Sequence, residues 1–120
     1  MPSSMRTRSS NSVVIKSANR ELITQAVQTY VAKLREEHPE VERVIWFGSW
    51  VNGLPAPGSD VDLCLILSSA EKPGRERIPD YLPVGFPVGI DLFAYTRTEF
   101  ERLRCELPDW YQAIISGQEL

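Results

Sequence analysis

A near-continuous apolar run, Asp60 to Leu67 (DVDLCLIL), constrains the fold of this chain more than any other feature. After Asp62 the run contains no charged residue, so a strand formed here would have no side that suits water. The run therefore predicts a strand that other elements cover on both faces. Hydrophobic residues make up 42% and charged residues 24% of the 120 residues, a composition typical of one globular domain with a packed core.

Periodicity and turn signals place the other large elements around this strand. Apolar residues at helical spacing predict an amphipathic helix from Asn19, as its N-cap, to about Glu37. β-branched and aromatic residues predict strands from Val41 to Phe47 and from Val88 to Tyr95. The connection from Ser68 to Pro87 is rich in proline and glycine, and we expect little regular structure in it.

Three shorter helices complete the prediction. They are a short helix from Trp50 to Leu54 capped by Ser49, a helix opened by the capping box Thr96 to Glu99 and continuing to about Glu106, and a last helix from Pro108 or Asp109 to about Ser116 with Gly117 as its C-cap. Trp46 and Phe47 are adjacent in a predicted strand, so we expect them in the core on opposite faces. His38, the single histidine, precedes a proline at a helix end and is expected to be exposed and without a role.

Charge is distributed unevenly along the chain. The first 20 residues carry basic side chains and no acid, whereas the net charge is -3, so the remainder is clearly acidic. We predict a flexible tail over residues 1–18 and a single domain over 19–120; a transit peptide or a partner-contacting arm are the alternatives for the tail. An acidic domain argues against tracking a nucleic-acid backbone.

Two features of the sequence indicate the cellular compartment: the length of its apolar runs and the placing of its cysteines. No apolar run reaches the length of a membrane span, so we expect no membrane association. Cys64 and Cys105 do not form a disulfide framework, and Cys64 lies where a small buried hydrophobe is expected. These features favour a cytoplasmic protein.

Three carboxylates form the candidate metal and catalytic site. Side chains alternate along a strand, so Asp60 and Asp62 point to one face while Val61 points to the other. Asp91 is the single acid of its predicted strand, and it completes a triad if that strand neighbours the first. Close carboxylates repel one another unless a hard cation lies between them, and magnesium prefers such oxygen ligands together with substrate phosphates.

The Gly48-Ser49 step is the candidate phosphate site. It follows a predicted strand and precedes a short helix. Glycine allows the backbone to approach a phosphate, the free N–H groups of a helix start attract anions, and a serine hydroxyl adds a donor. Together with three carboxylates this is a complete set of groups for nucleotidyl transfer by two metal ions.

At these residues the sequence resembles the minimal nucleotidyltransferase (MNT) branch of the DNA polymerase beta-like superfamily. The signature of that family is Gly-Ser, ten residues, then Asp-x-Asp, and here the ten residues from Trp50 to Ser59 separate Ser49 from Asp60. The resemblance implies an α/β (α+β) fold in which helices flank a small mixed β-sheet. It implies magnesium ions at Asp60 and Asp62 that carry the triphosphate, Asp91 activating the incoming hydroxyl, and Ser49 contacting the β- or γ-phosphate.

The resemblance also implies a partner. Minimal nucleotidyltransferases are typically paired with a HEPN-domain protein, a helical RNase toxin, and act as its antitoxin by modifying it with AMP from ATP, classically on tyrosine. A small-molecule nucleotidyltransferase of the aminoglycoside-modifying type is a further alternative, since such enzymes share the motif.

One departure from the family pattern concerns charge. The family often has a basic residue just after Gly-Ser, where this chain has Trp50 and Asn52. A missing cation would weaken triphosphate binding, because charge-assisted hydrogen bonds are about twice as strong as neutral ones. Arg43, Arg75 and Arg77 are candidates to replace it. The departure motivates a second hypothesis, in which the chain neutralises its partner by binding alone; Trp50 could stack on a base or simply pack.

Overall fold

The computed structural model describes residues 12–53, 55 and 59–120, and for residues 12–19 it describes the backbone alone. Helices and strands follow one another along these residues, with two consecutive helices before the last strand. Their bounds are α1 Ser12–Glu37, β1 Val41–Phe47, α2 Ser49–Asn52, β2 Val61–Leu67, a 3-10 helix Gly74–Asp80, β3 Ile90–Thr96, α3 Arg97–Glu106, α4 Pro108–Ile115 and β4 Gln118–Glu119. No helix in the described part of the chain is both long and apolar enough to cross a membrane.

The strands form one mixed sheet in the order β3-β2-β1-β4. β2 pairs antiparallel with β1 and parallel with β3, and β4 pairs antiparallel with β1. Parallel neighbours need a long crossover, which residues 68–89 supply with the 3-10 helix as their one helical segment. The predicted mixed sheet flanked by helices is confirmed.

The apolar run that forms β2 is buried on both faces, as predicted. Val61, Leu63, Leu65 and Leu67 belong to the core cluster on the α1 side, whereas Cys64 and Ile66 belong to the cluster beneath α3 and α4. The sheet is thus the middle of three layers, and its two sides follow the alternation of side chains along each strand.

Trp46 and Phe47 belong to different core clusters, Trp46 on the α1 side and Phe47 beneath α4, which confirms that they lie on opposite faces. The capping box is also confirmed: the Thr96 hydroxyl accepts from the Glu99 amide, and the Glu99 carboxylate accepts from the Thr96 amide. These features depend on neighbouring residues alone, and this is why the sequence predicts them well.

Two predicted helix ends were wrong. α1 begins at Ser12, so Asn19 lies inside the helix, because no proline or glycine interrupts the preceding residues. The last helix ends at a Ser116 C-cap rather than at Gly117. Gly117 has a different purpose: a Cβ there would lie 2.4 Å from the Trp46 carbonyl oxygen, so the glycine lets β4 approach β1.

Other predicted boundaries shift slightly. Ser49 is the first residue of α2 and Gly48 its N-cap, since the Gly48 carbonyl accepts from the Val51 and Asn52 amides. The predicted end of this helix, Leu54, and residues 1–11 of the predicted tail lie outside the described residues. Residues 12–18 of that tail are part of α1.

Candidate functional site

The three aspartates converge at one end of the parallel pair. Asp62 of β2 lies beside Asp91 of β3 in the strand register, and Asp60 immediately precedes β2. Because the strands are parallel, their first residues meet at the same edge of the sheet. The condition on which the triad depended, that the Asp91 strand neighbours the Asp60 strand, is therefore met.

The electrostatics of Asp62 reflect this convergence. Burial raises the pKa of its carboxyl to about 6, and the negative charges of Asp91 and Asp60 contribute in the same direction. Asp62 is half-buried, whereas Asp60 and Asp91 are exposed. Ionised carboxylates held this way are stabilised by a cation, so the edge is suited to attract one.

An aromatic cluster explains why Asp62 is poorly hydrated. Phe47 lies opposite Asp62 in the register of β1 and β2, so both side chains are on the same face. Phe47, Phe93 and Trp110 pack against one another with ring centroids 5.0 to 5.8 Å apart. This cluster lies on the side of the sheet that carries the aspartates and reduces the access of water to the inner carboxylate.

Gly48 packs directly against Asp62. A Cβ at Gly48 would lie 2.1 Å from Oδ2 of Asp62, closer than a real contact permits. The backbone of Gly48 has φ 86° and ψ -158°, a conformation open essentially to glycine alone. The glycine of the Gly-Ser step is therefore needed both for its backbone conformation and for the position of a site carboxylate.

Gly89 has the corresponding relation to Asp60. A Cβ at Gly89 would lie 2.2 Å from Oδ1 of Asp60, and the Gly89 carbonyl accepts a hydrogen bond from the Val61 amide at 2.9 Å. This glycine was not among the predicted site residues. A signal was present, because a glycine inside an otherwise β-rich run indicates close approach of another group.

Ser49 is exposed and lies next to Gly48 at the start of α2. The first N–H groups of a helix have no acceptor within it, so they and the serine hydroxyl can act as donors to an incoming oxygen. Gly48 joins this turn to Asp62. The candidate phosphate and metal residues thus lie in one neighbourhood.

The donor chemistry of this edge fits magnesium. Among the residues described, no group of three His, Cys, Asp or Glu side chains forms a ready metal cage. Magnesium does not require one, because it commonly uses one or two carboxylates and completes its shell with water and substrate phosphates.

Two of the arginines considered as substitutes for the missing cation are held elsewhere. Arg43 pairs with Glu119 of β4 at 2.9 Å. Arg77 is buried and pairs with Glu99 at 2.7 Å, and it also donates to the Lys72 and Ala94 carbonyls. Each therefore has a structural role.

The two remaining side chains of interest also have packing roles. Trp50 is buried, with 8% of its surface exposed, so its role is packing rather than stacking on a base. His38 was wrongly expected to be exposed and idle: it is half-buried, lies 3.4 Å from Glu40 and packs edge-on against Tyr81. The proline that follows ends the helix but leaves the imidazole turned toward the crossover.

Comparison with known proteins gives two findings. Residues 27–116 match the family model described as a nucleotidyltransferase domain. A solved structure from Sulfolobus solfataricus, described as that of a proposed nucleotidyltransferase, superposes with a TM-score of 0.54 at 23% identity, covering 73% of this chain and 78% of the other. That likeness supports the fold. No curated protein matches the chain.

Proposed function

Because the chain belongs to the nucleotidyltransferase domain family, we propose that it transfers a nucleoside monophosphate, AMP from ATP, to the hydroxyl of a partner protein. The observation that carries this proposal is the convergence of Asp60, Asp62 and Asp91, with the pKa of Asp62 raised to about 6 by burial and by the other two charges. Three carboxylates held this close repel one another when no cation is bound. A bound metal ion would offset this repulsion, so the cluster fits a metal-dependent enzyme.

The proposal gives each carboxylate a role. Asp60 and Asp62 would hold magnesium together with the triphosphate, and the bound ion would supply positive charge next to the phosphate oxygens. Asp91, which is exposed and lies on β3, accepts the proton of the attacking hydroxyl. The hydroxyl oxygen forms a bond to the α-phosphorus, the bond from that phosphorus to the bridging oxygen breaks, and pyrophosphate leaves.

Gly48 and Ser49 orient the triphosphate in this proposal. The Ser49 hydroxyl donates to the β- or γ-phosphate, and the glycine keeps the backbone close enough for amide donors to contribute. Because Gly48 also contacts Asp62, the same turn aligns the phosphate chain with the metal-binding carboxylates.

The acceptor proposed is a tyrosine of a HEPN-domain toxin, with this chain as the antitoxin. The support is the Gly-Ser, ten-residue, Asp-x-Asp spacing that the chain shares with minimal nucleotidyltransferases. Both cysteines of this chain are free thiols, as expected if the antitoxin and its toxin work together in the reducing cytoplasm.

The test is transfer of label from α-labelled ATP, with magnesium, to the HEPN-domain product of the adjacent gene. The wild type should label the partner, and Asp91→Asn should not, since an amide cannot accept the proton. Glu71→Gln, which neutralises an exposed acid in the crossover, is the control and should label normally. Absence of labelling by the wild type with a HEPN partner would reject the transfer proposal.

A second function is favoured by the arrangement of the arginines. Arg43 and Arg77 are engaged with Glu119 and Glu99, which leaves the phosphate turn without their charge. The chain would then neutralise its partner by covering it. Protection of cells by Asp60→Ala combined with Asp62→Ala would favour this function, whereas loss of protection with an intact complex would favour transfer.

A further inference from the structure

Arg20 of α1 reaches across to the segment that follows the Gly-Ser turn. Its guanidinium donates to the Trp50 carbonyl at 3.1 Å and to the Gly53 carbonyl at 3.3 Å. The same group lies over the Trp50 ring, 5.3 Å from the ring centroid. One side chain therefore contacts the backbone at two points of this segment and the face of its one buried residue.

Trp50 connects the segment held by Arg20 to the residue before Asp60. Its indole Nε1 donates to the Ser59 carbonyl at 2.8 Å, across the base of the loop that joins α2 to β2. Ser59 directly precedes Asp60. At the other end of α2, Gly48 lies against Asp62. The segment held by Arg20 is thus connected to two site carboxylates by separate contacts.

We propose that Arg20 is a positioning residue, which fixes the Gly48–Gly53 segment through Trp50 and thereby sets the geometry of Asp60, Asp62 and the Gly-Ser turn. The inference rests on the proposed nucleotidyl transfer at that site. Arg20 was grouped by composition with the basic N-terminal region, whereas the structure gives it a defined partner in the body of the domain.

The chemistry of the contact explains the choice of arginine. A planar guanidinium can donate to two carbonyls while it stacks on an indole, and the compact ammonium of lysine cannot reproduce that combination. Both acceptors are backbone carbonyl oxygens, those of Trp50 and of the α2 C-cap Gly53, and carbonyls in a helix point away from the N–H groups at its start. Arg20 therefore acts on the site through the segment and is not a phosphate ligand.

The test compares Arg20→Gln and Arg20→Lys with Arg35→Gln. Arg35 is a matched control, since it is also an exposed arginine of α1 whose guanidinium donates to a main-chain oxygen, that of Leu120 at 2.8 Å. Trp50→Phe is the fourth variant, because it keeps an aromatic ring but removes the donor to Ser59. Hydrogen exchange of the amides of residues 48–53 reports the restraint directly, without any nucleotide.

In both Arg20 variants we expect hydrogen exchange at residues 48–53 to become about tenfold faster. In Trp50→Phe we expect the same acceleration at residues 59–62, and in Arg35→Gln we expect neither segment to change. Affinity for Mg·ATP should fall about tenfold in the Arg20 variants at temperatures where all variants are folded. Equal exchange in Arg20→Gln and Arg35→Gln would overturn the restraint.

The outcomes separate this inference from the proposed function. Faster exchange with unchanged Mg·ATP affinity would give Arg20 a structural role alone and overturn its positioning role. If the wild type failed to bind Mg·ATP, the proposed function would fail, whereas the exchange result would still decide whether Arg20 restrains the segment. Recovery in Arg20→Lys to the wild-type exchange rate would show that charge suffices and would contradict the two-point geometry.

Discussion

Replacing Gly48 by alanine tests the link between the Gly-Ser turn and the carboxylates. The added Cβ would lie 2.1 Å from Oδ2 of Asp62, where ordinary contact begins near 3.4 Å. The carboxylate must therefore move by about 3.4 - 2.1 = 1.3 Å, or the turn must move by a similar distance. A misplacement of about 1 Å at a catalytic group can cost about a hundredfold in rate, and we expect a loss of that order.

The same change strains the backbone. Alanine at φ 86° and ψ -158° costs about 1–3 kcal/mol. For a domain of this size each kcal/mol lowers Tm by about 4 °C, so Gly48→Ala should lose roughly 4–12 °C. Activity must therefore be compared at a temperature where the variant remains folded.

Two other glycines separate the two effects. Gly85 has φ 72°, and a Cβ added there would have no atom within 4 Å, so Gly85→Ala has the backbone cost without touching an aspartate. The backbone of Gly89 has no positive φ, so Gly89→Ala lacks this backbone cost, but the added Cβ would lie 2.2 Å from Oδ1 of Asp60. We expect Gly85→Ala to lower Tm and keep activity, and Gly89→Ala to lose activity through displacement of Asp60.

The measurements are thermal unfolding, Mg·ATP affinity by titration calorimetry, and transfer of labelled AMP to the partner. The reasoning is refuted if Gly48→Ala and Gly85→Ala show equal affinity and transfer at equal folded fraction. That result would mean that Asp62 can move freely without consequence, and hence that its contact with Gly48 does not define the site.

Three further predictions concern stability. The pKa of Asp62 is raised from 3.8 to about 6, so the folded carboxyl holds its proton more tightly than the unfolded one, and this stabilisation is complete below about pH 4 and lost as pH rises through 6. Asp62→Asn should therefore stabilise the magnesium-free protein above pH 6 by about 1–2 kcal/mol, a figure reduced for partial solvent exposure. If the difference in Tm between the variant and the wild type stayed constant from about pH 4 to about pH 8, this reasoning would be contradicted. Arg77→Met should lower the free energy of unfolding by about 2–4 kcal/mol, because it removes the partner of Glu99 and leaves the Ala94 carbonyl without this donor. Denaturant unfolding measures the loss, with Arg75→Met at an exposed arginine as the control. An equally small loss in both variants would count against the prediction. Thr96→Ala should cost about 1 kcal/mol through the lost cap of α3, measured against Thr98→Ala two residues further along.

Local signals in the sequence are sufficient for much of this fold. The strand Val41–Phe47 has the predicted bounds, and the capping box at Thr96 opens α3 as predicted. Both depend on interactions between residues a few positions apart. The start of α1 was predicted too late, because Asn19 is a good cap in isolation but no proline or glycine before it stops the helix.

Contacts between distant segments could not be predicted in this way. β4 is a strand of two polar residues, Gln118 and Glu119, with no apolar alternation to indicate it. It forms because Gly117 lets the chain approach β1. Arg20 belongs by composition to the basic, acid-free first 20 residues, yet its partners are 30 and 33 residues away.

The candidate site shows the division most clearly. The sequence by itself predicted that Asp60 and Asp62 share a face, because side chains of a strand alternate, and that Gly48-Ser49 follows the end of a strand. Only the tertiary structure decided that Asp91 lies beside Asp62, because strand order and register arise from packing of the whole sheet. The close approach of Gly48 and Gly89 to the carboxylates was decided there too, since a contact across strands has no signature in the spacing of either one.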